Sequence, residues 1–336
     1  MRGVLLAALS ALACAAPPPP ALVELSDGRP AMGTILEITL HARETPLARE
    51  TLAELFALAA RLDAVMTLYD PSSELSRLNR AAGRGPVPVD PELAQILEAS
   101  AGYARLTRGT FDVTVGPLVA LWTRAGETGV PPSAGALARA RARVGAGQIR
   151  VEASGVSLAR EGASVDLGGI AKGWALDRML PLLRERGVAS ALLDFGQSSL
   201  WALGAPPGAA GWRLLARGPG DGALGVLTLS DQALSVSGSL GQSTLIGGRR
   251  YGHVLDPRSG LPLERRRQAL VVARSAALAE ALSKALLILG EKEGIALVAA
   301  QAGCEGMLVD AEGGSWETPG WRAAVRFEPL RSDEGP

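Results

Sequence analysis

The residues Asp166-Leu-Gly-Gly-Ile-Ala-Lys-Gly173 place a carboxylate, a glycine pair and a lysine at the entry to an amphipathic helix carrying Trp174, Asp177 and Met179. Free backbone N–H groups and the helix dipole at such a start favour an anion, and Lys172 adds a mobile positive charge. A plain strand-to-helix turn would read the same way, so this stretch gains meaning only from its partners. Tyr251-Gly-His-Val-Leu-Asp-Pro-Arg-Ser-Gly260 holds one of the two histidines, with Asp256 three residues after His253. A carboxylate at that spacing can fix an imidazole tautomer so that the ring accepts a proton; a histidine satisfied by its own turn is the alternative. Asp112, in Gly109-Thr-Phe-Asp-Val-Thr-Val115, is a carboxylate amid apolar neighbours that needs partners, either as a ligand group or as a turn cap. Glu280 and Lys284 stand four apart, in the order that favours an ion pair on a helix surface.

Lysine is scarce in this chain. Of 34 basic residues only Lys172, Lys284 and Lys292 are lysines, so arginine supplies nearly all the positive charge. The two side chains differ as phosphate binders and proton donors, which makes Lys172 and Lys284 specific choices. The 34 basic residues are balanced by 34 acidic ones. No basic field argues for nucleic acid, and no acidic excess argues for disorder. With 336 residues and 47% hydrophobic content, the chain has ample material for a core.

Met1-Arg2 and the apolar run Gly3–Ala13 read as an export signal, too short to span a bilayer stably. Cys14 follows Ala11-Leu12-Ala13 and precedes Pro17–Pro20, similar to a bacterial lipoprotein cleavage site. Residues 1–20 are therefore expected to be signal, candidate lipid anchor at Cys14 and proline linker, with one folded domain over 21–330. Cys304 is the other cysteine, expected as a small core residue with no disulfide partner after processing.

The elements needed to hold these groups follow from periodicity. Thr34–Leu40 alternates as a half-buried strand ended by His41, and Thr45-Pro46 caps a helix with Leu52, Leu55, Phe56, Ala59 and Leu62 on one face. Met66–Asn79 is a polar segment dense in groups that can hydrogen-bond a ligand. A second helix starts at Asp90-Pro91. Gln148–Val151 with Gly155–Leu158 reads as a hairpin, and Ala191–Gly196, Leu200–Leu203, Trp212–Ala216, Gly225–Leu229 and Gln268–Ala273 read as strands. The helix Ala276–Gly290 is stopped by glycine, another helix covers Glu293–Ala302, and Gly306–Asp310 with Trp321–Phe327 is expected as a hairpin-like edge.

Taken together, Met32-Gly-Thr34, Met66–Tyr69 with Ser73–Asn79, Gly109–Asp112, Asp166–Gly173 with Asp177, Ser237-Gly238, His253–Gly260 and Ala279–Gly290 resemble the ApbE family, the FAD:protein FMN transferases, in order and along nearly the whole mature chain. The resemblance implies an α+β fold related to T-fold sheets, with mixed or antiparallel sheets flanked by helices. It implies cleavage of the FAD pyrophosphate and transfer of FMN through a phosphoester onto a threonine or serine of an extracytoplasmic flavoprotein, with AMP released. It places the protein in the periplasm, often as a lipoprotein. Met32, Tyr69, Thr110, Phe111 and Asp112 would hold the flavin and the adenosine end, Asp166 and Lys172 would bind near the phosphates, and His253, beside the FAD and oriented by Asp256, would take the target hydroxyl proton.

The family pattern also binds Mg²⁺, through a backbone carbonyl matching Gly169 and an Asp and a Thr matching Glu280 and Lys284. A glutamate can still ligate, but a charged ammonium offers no lone pair and repels a divalent cation. Two readings of this departure stay open: Mg²⁺ held by Gly169 and Glu280, or Lys284 standing in for the metal and pairing with Glu280 and the pyrophosphate. Gly196-Gln197 stands where the pattern has a glycine pair, and Val236 where it has threonine. Two other readings share the FAD site: a catalytically weakened FAD-binding lipoprotein that carries or senses flavin, and an FAD pyrophosphatase using water as nucleophile.

Overall fold

The computed structural model describes residues 22–43, 46–220, 222–239 and 243–330. The expected export signal, the candidate anchor Cys14, the proline linker, the Thr45 cap and the terminal residues 331–336 lie outside the described residues. Its centre is an eight-stranded sheet in the order Leu22–Ala31, Thr34–Arg43, Ser190–Phe195, Ser199–Leu203, Gln232–Gly238, Arg267–Ala273, Glu305–Asp310, Ser315–Glu317. Every neighbouring pair is antiparallel. The long helical excursion Pro46–Glu185 is inserted between the second and third of these strands.

The strand Thr34–Arg43 shows how the alternation is used. Leu36, Ile38 and Leu40 are fully buried, while Ile35 remains 45% exposed on the other face. The buried set packs with Leu55, Phe56, Ala59 and Leu62 of the helix Pro46–Met66 and with Leu176, Met179 and Leu183 of the helix Ala171–Glu185. Each such leucine contributes about 1.5–3 kcal/mol before its ordering entropy is subtracted.

Both faces of the sheet are covered further along. In Arg267–Ala273, Leu270 and Val272 point into a cluster with Trp212, Leu227, Leu229, Trp321 and Val325. Ala269, Val271 and Ala273 point the other way, onto Ala279, Leu282 and Leu286 of the helix Ala276–Ala299. The first of these clusters lies under a small sheet of Trp212–Arg217, Ala223–Leu229 and Glu328–Pro329, with the short helix Trp321–Val325 beside it.

Three details depart from the sequence reading. A ten-residue strand, Leu22–Ala31, precedes Met32 and forms a hairpin with Thr34–Arg43; Met32 and Gly33 are its two-residue loop, at φ 47° and 74°. The polar stretch after Met66 contains the helix Glu74–Arg80, capped by the Ser73 hydroxyl, and it buries Leu75 and Leu78. Trp321–Val325 is helical; the hairpin partner of Glu305–Asp310 is Ser315–Glu317. The late helical segment Ala276–Ala299 is broken where the glycine stop is expected: Gly290, at φ 78° and ψ −160°, leaves the helical region and helix resumes after it.

Candidate functional site

The turn entered at Asp166 is clamped from two sides. Asn79 donates to the Val165 carbonyl at 2.9 Å and accepts from the Val165 N–H at 2.8 Å, and the Asp166 N–H donates to the Val113 carbonyl at 2.7 Å. The Asp166 carboxylate accepts from Gly168 N–H at 2.8 Å, so it braces the turn from within. Helix follows from Ala171, and Lys172 in its first turn donates from Nζ to Ser198 Oγ at 2.5 Å. Gly173 is needed for packing: a Cβ there would stand 2.6 Å from the carbonyl carbon and oxygen of Ala276.

That contact sets the late helix against the turn. Ser275 caps its start, and Asp177 accepts from the N–H groups of Ala276 and Ala277 at 2.7 and 3.0 Å. One turn on, Glu280 is 2% exposed; its Oε1 accepts a hydrogen bond from the Ser199 hydroxyl, while its Oε2 is buried with no hydrogen-bond partner. Lys284, half-buried, lays its Cε within 3.1 Å of where a Cβ on Gly169 would stand, beside Phe111 Cε2 at 3.7 Å from the same point. Its Nζ donates to the Glu280 carbonyl at 3.2 Å. Burial pushes the Lys284 ammonium below the ordinary lysine range; Glu280 opposes that shift and the Lys172 charge reinforces it. Two of the three lysines in the chain thus converge on one glycine turn.

The Gly109–Asp112 turn borders this group. The Thr110 hydroxyl donates to the Thr107 carbonyl at 2.7 Å, and both Thr110 and Phe111 are buried. Asp112 accepts from the N–H and hydroxyl of Thr114 at 2.8 and 2.6 Å, and burial nevertheless holds its carboxyl above the usual range. The carboxylate is therefore bound as a turn cap.

His253 is exposed and follows the hairpin Ser243–Ile246/Arg249–Gly252. Asp256 uses both oxygens on Arg258, accepting its backbone N–H at 2.9 Å and pairing with its guanidinium at 2.9 Å. Arg258 in turn lies 3.8 Å from a Cβ built on Gly109, so the His253–Gly260 turn abuts the Gly109–Asp112 turn. Trp122 fastens it further, donating from Nε1 to the Gly260 carbonyl at 2.8 Å.

The remaining expected ligand residues stand at the edges. Met32 donates its N–H to the Asp63 carboxylate at 2.8 Å, and Tyr69 is 94% exposed on the loop before Ser73. The structure thus brings together Phe111, Gly169, Lys172, Glu280 and Lys284. It places Asp112 and Asp166 in supporting turns beside them.

Sequence reading quotes Ser237 as part of a motif but misses the serine cluster it belongs to. Ser283 Oγ stands 3.0 Å from Ser235 Oγ and 2.8 Å from Ser237 Oγ, and donates to the Glu280 carbonyl at 3.0 Å. The signal was present: Ser235 and Ser237 are two apart on a strand and so share a face. Asp194 is a second omission; it accepts from Gln197 N–H at 2.7 Å, and burial raises its carboxyl while the Lys172 charge lowers it. A cavity of about 740 Å³ also opens beside Trp201, Arg184, Arg274 and Arg326, but none of the expected site residues lines it.

Mg²⁺ does not fit this donor set. Glu280 gives half of its carboxylate to Ser199, and the Lys284 side chain runs from Gly169 to the Glu280 carbonyl with a positive charge at its end. An ammonium only donates. Among the described residues no three His, Cys, Asp or Glu side chains group to hold a metal ion.

Fold and site together define an α+β protein in which two lysines border a glycine turn at the junction of a sheet and two helices. The sequence model of the ApbE family matches residues 32–308. The FAD:protein FMN transferase of Vibrio cholerae is 30% identical over 340 residues, covering 99% of this chain and 100% of that protein. The solved structure of the flavin transferase ApbE from Vibrio cholerae superposes with a TM-score of 0.78 at 25% identity, covering 90% of this chain and 99% of that one. The Pseudomonas stutzeri flavinyl transferase ApbE gives 0.79 at 27% identity, covering 90% and 97%. The chain belongs to the ApbE family.

Proposed function

We propose that this protein is an FAD:protein FMN transferase. The observation that carries the reading is the convergence of Lys172 and Lys284 on the Gly169 turn, in a chain of this family. Two ammonium groups there suit a pyrophosphate, whose negative charge increases on the leaving phosphate as the P–O bond breaks.

In this reading the hydroxyl of a threonine or serine on a target flavoprotein attacks the phosphorus of the FMN half of FAD. The P–O bond to the AMP half breaks, AMP leaves as its phosphate anion, and the hydroxyl proton passes to the His253 imidazole. Met32, Tyr69, Thr110 and Phe111 contact the flavin and adenosine ends. Asp112 and Asp166 brace the turns that present those contacts, and Lys172 binds the phosphates. Asp256 holds the His253 turn through Arg258. Residues 21–330 act as one FAD-binding domain.

The short apolar N-terminus supports export, and the position of Cys14 supports a lipid anchor on the periplasmic side of a membrane. None of the described helices is long and apolar enough to cross a bilayer.

The test is to incubate the protein with FAD and a target domain carrying an acceptor threonine, then weigh the target and assay AMP. A target heavier by one FMN, with AMP formed in equal amount, is the expected result. AMP with an unchanged target would point to a pyrophosphatase, and bound, uncleaved FAD to a flavin carrier.

A further inference from the structure

The group formed by Glu280, Lys284 and Gly169 contains an imbalance. Glu280 is 2% exposed, with one carboxylate oxygen bonded to Ser199 and the other buried without a partner. A buried, half-satisfied carboxylate is costly unless a cation stands near it. The cation at hand is Lys284, whose charged form Glu280 favours and whose Nζ donates to the Glu280 main-chain carbonyl at 3.2 Å. That bond uses one of three N–H donors and leaves two for an anion.

The Lys284 side chain is also held where it must work. Its Cε and Cδ would stand 3.1 and 3.5 Å from a Cβ on Gly169, so the lysine packs on the glycine turn and the turn has no room for a side chain. Ser283, the neighbouring helix residue, is fixed by the hydroxyls of Ser235 and Ser237, which ties this part of the helix to the sheet. Lys172 approaches from the other helix start, anchored on Ser198. A phosphate group placed against the Gly169 turn would meet two ammonium groups from two different elements.

We propose that the Lys284 ammonium is the resident cation of this site, compensating Glu280 and binding the FAD pyrophosphate, so that this chain engages FAD without a divalent metal. The proposal rests on the flavin-transferase reading above. It assigns the charge neutralisation of phosphoryl transfer to a side chain that needs no metal supply, while Glu280 keeps that side chain oriented.

FAD binding and metal binding test it directly. Flavin fluorescence titration of the native protein is expected to give the same FAD affinity in EDTA and in excess Mg²⁺. Electron paramagnetic resonance with Mn²⁺ is expected to show no protein-bound ion, with or without FAD. Lys284→Met is expected to weaken FAD on the order of 10- to 100-fold, the loss of one or two charge-assisted hydrogen bonds. An FAD affinity that falls tenfold or more in EDTA, a stoichiometric Mn²⁺ signal in the native protein, or an unchanged affinity in Lys284→Met would overturn the assignment. If Lys284→Met does not fold, the two measurements on the native chain decide. Absence of FAD binding under every condition would instead overturn the transferase reading itself, whereas metal-dependent binding would overturn only the role of Lys284.

Discussion

The Asp177 carboxylate caps the helix that carries Glu280 and Lys284, accepting from Ala276 N–H at 2.7 Å and Ala277 N–H at 3.0 Å. It also accepts from the Ser275 hydroxyl at 2.7 Å and the Trp201 indole N–H at 3.3 Å. Asp177→Ala would leave these donors unpaired in a buried setting. We expect a loss of about 2–4 kcal/mol in chemical denaturation and weaker FAD binding, because the start of the helix frays. Burial holds the Asp177 carboxyl above the ordinary aspartate range, against the pull of these hydrogen bonds. A raised folded-state pKa gives stability that is fully present below the unfolded value and lost as pH rises through the folded one. The advantage of wild type over Asp177→Asn should therefore be largest in acid and shrink through that window. A difference that widens with pH would contradict this.

Gly173 allows two helix starts to touch. A Cβ at this position would come within 2.6 Å of the Ala276 carbonyl and 2.8 Å of the Ala277 nitrogen, all main-chain atoms that cannot rotate away. Gly173→Ala should cost about 1–3 kcal/mol in stability even though alanine is the better helix former. It should also weaken FAD binding, because Lys172 and Lys284 move apart. A stabilised variant with intact FAD affinity would show that the contact is not tight.

The glycine motif was legible in the sequence as a helix entry, and so was the alternation that buries Leu36, Ile38 and Leu40. What Gly173 packs against was not legible, because its neighbour Ala276 lies a hundred residues away and carries no polar signal. The strand Leu22–Ala31 was missed because it runs along a sheet edge with few buried side chains, which blunts the alternation. Trp321–Phe327 reads as part of a hairpin-like edge, whereas Trp321–Val325 is a helix filling the core beneath a sheet; five residues are too few to separate the two periods. The spacing of Asp256 from His253 is legible in the sequence; that Arg258, two residues on, also binds both Asp256 oxygens through the turn is not. Glu280 and Lys284 look like a solvated pair by spacing, whereas Glu280 is buried against Ser199 and Lys284 lies half-buried over the Gly169 turn.

His253 carries the proton-transfer role in the proposed reaction. It is exposed, on a turn fixed by Trp122, Asp256 and Arg258, so truncation should leave the fold intact. His253→Ala is expected to keep FAD affinity within about threefold and to lose on the order of 10²–10⁴ in the rate of FMN transfer. Mass spectrometry of the target over time measures the rate, and fluorescence titration measures the affinity. A variant that still transfers at the wild-type rate would assign the proton to another group.

Cys304 sits 3% exposed among Val271, Leu286, Val298 and Leu308, and burial pushes its thiol from 9.0 up to about 11. Two units mean about 100-fold less thiolate near neutral pH, and only the thiolate reacts. The folded protein at mildly alkaline pH should therefore show no fast reaction with a thiol reagent beyond that of Cys304→Ala, while denaturant should release one additional reactive thiol. Raising the pH without denaturant should increase the native rate only as the solution approaches pH 11. Prompt labelling of the native wild type, absent from Cys304→Ala, would mean that the helix after Gly290 opens readily and exposes this cluster.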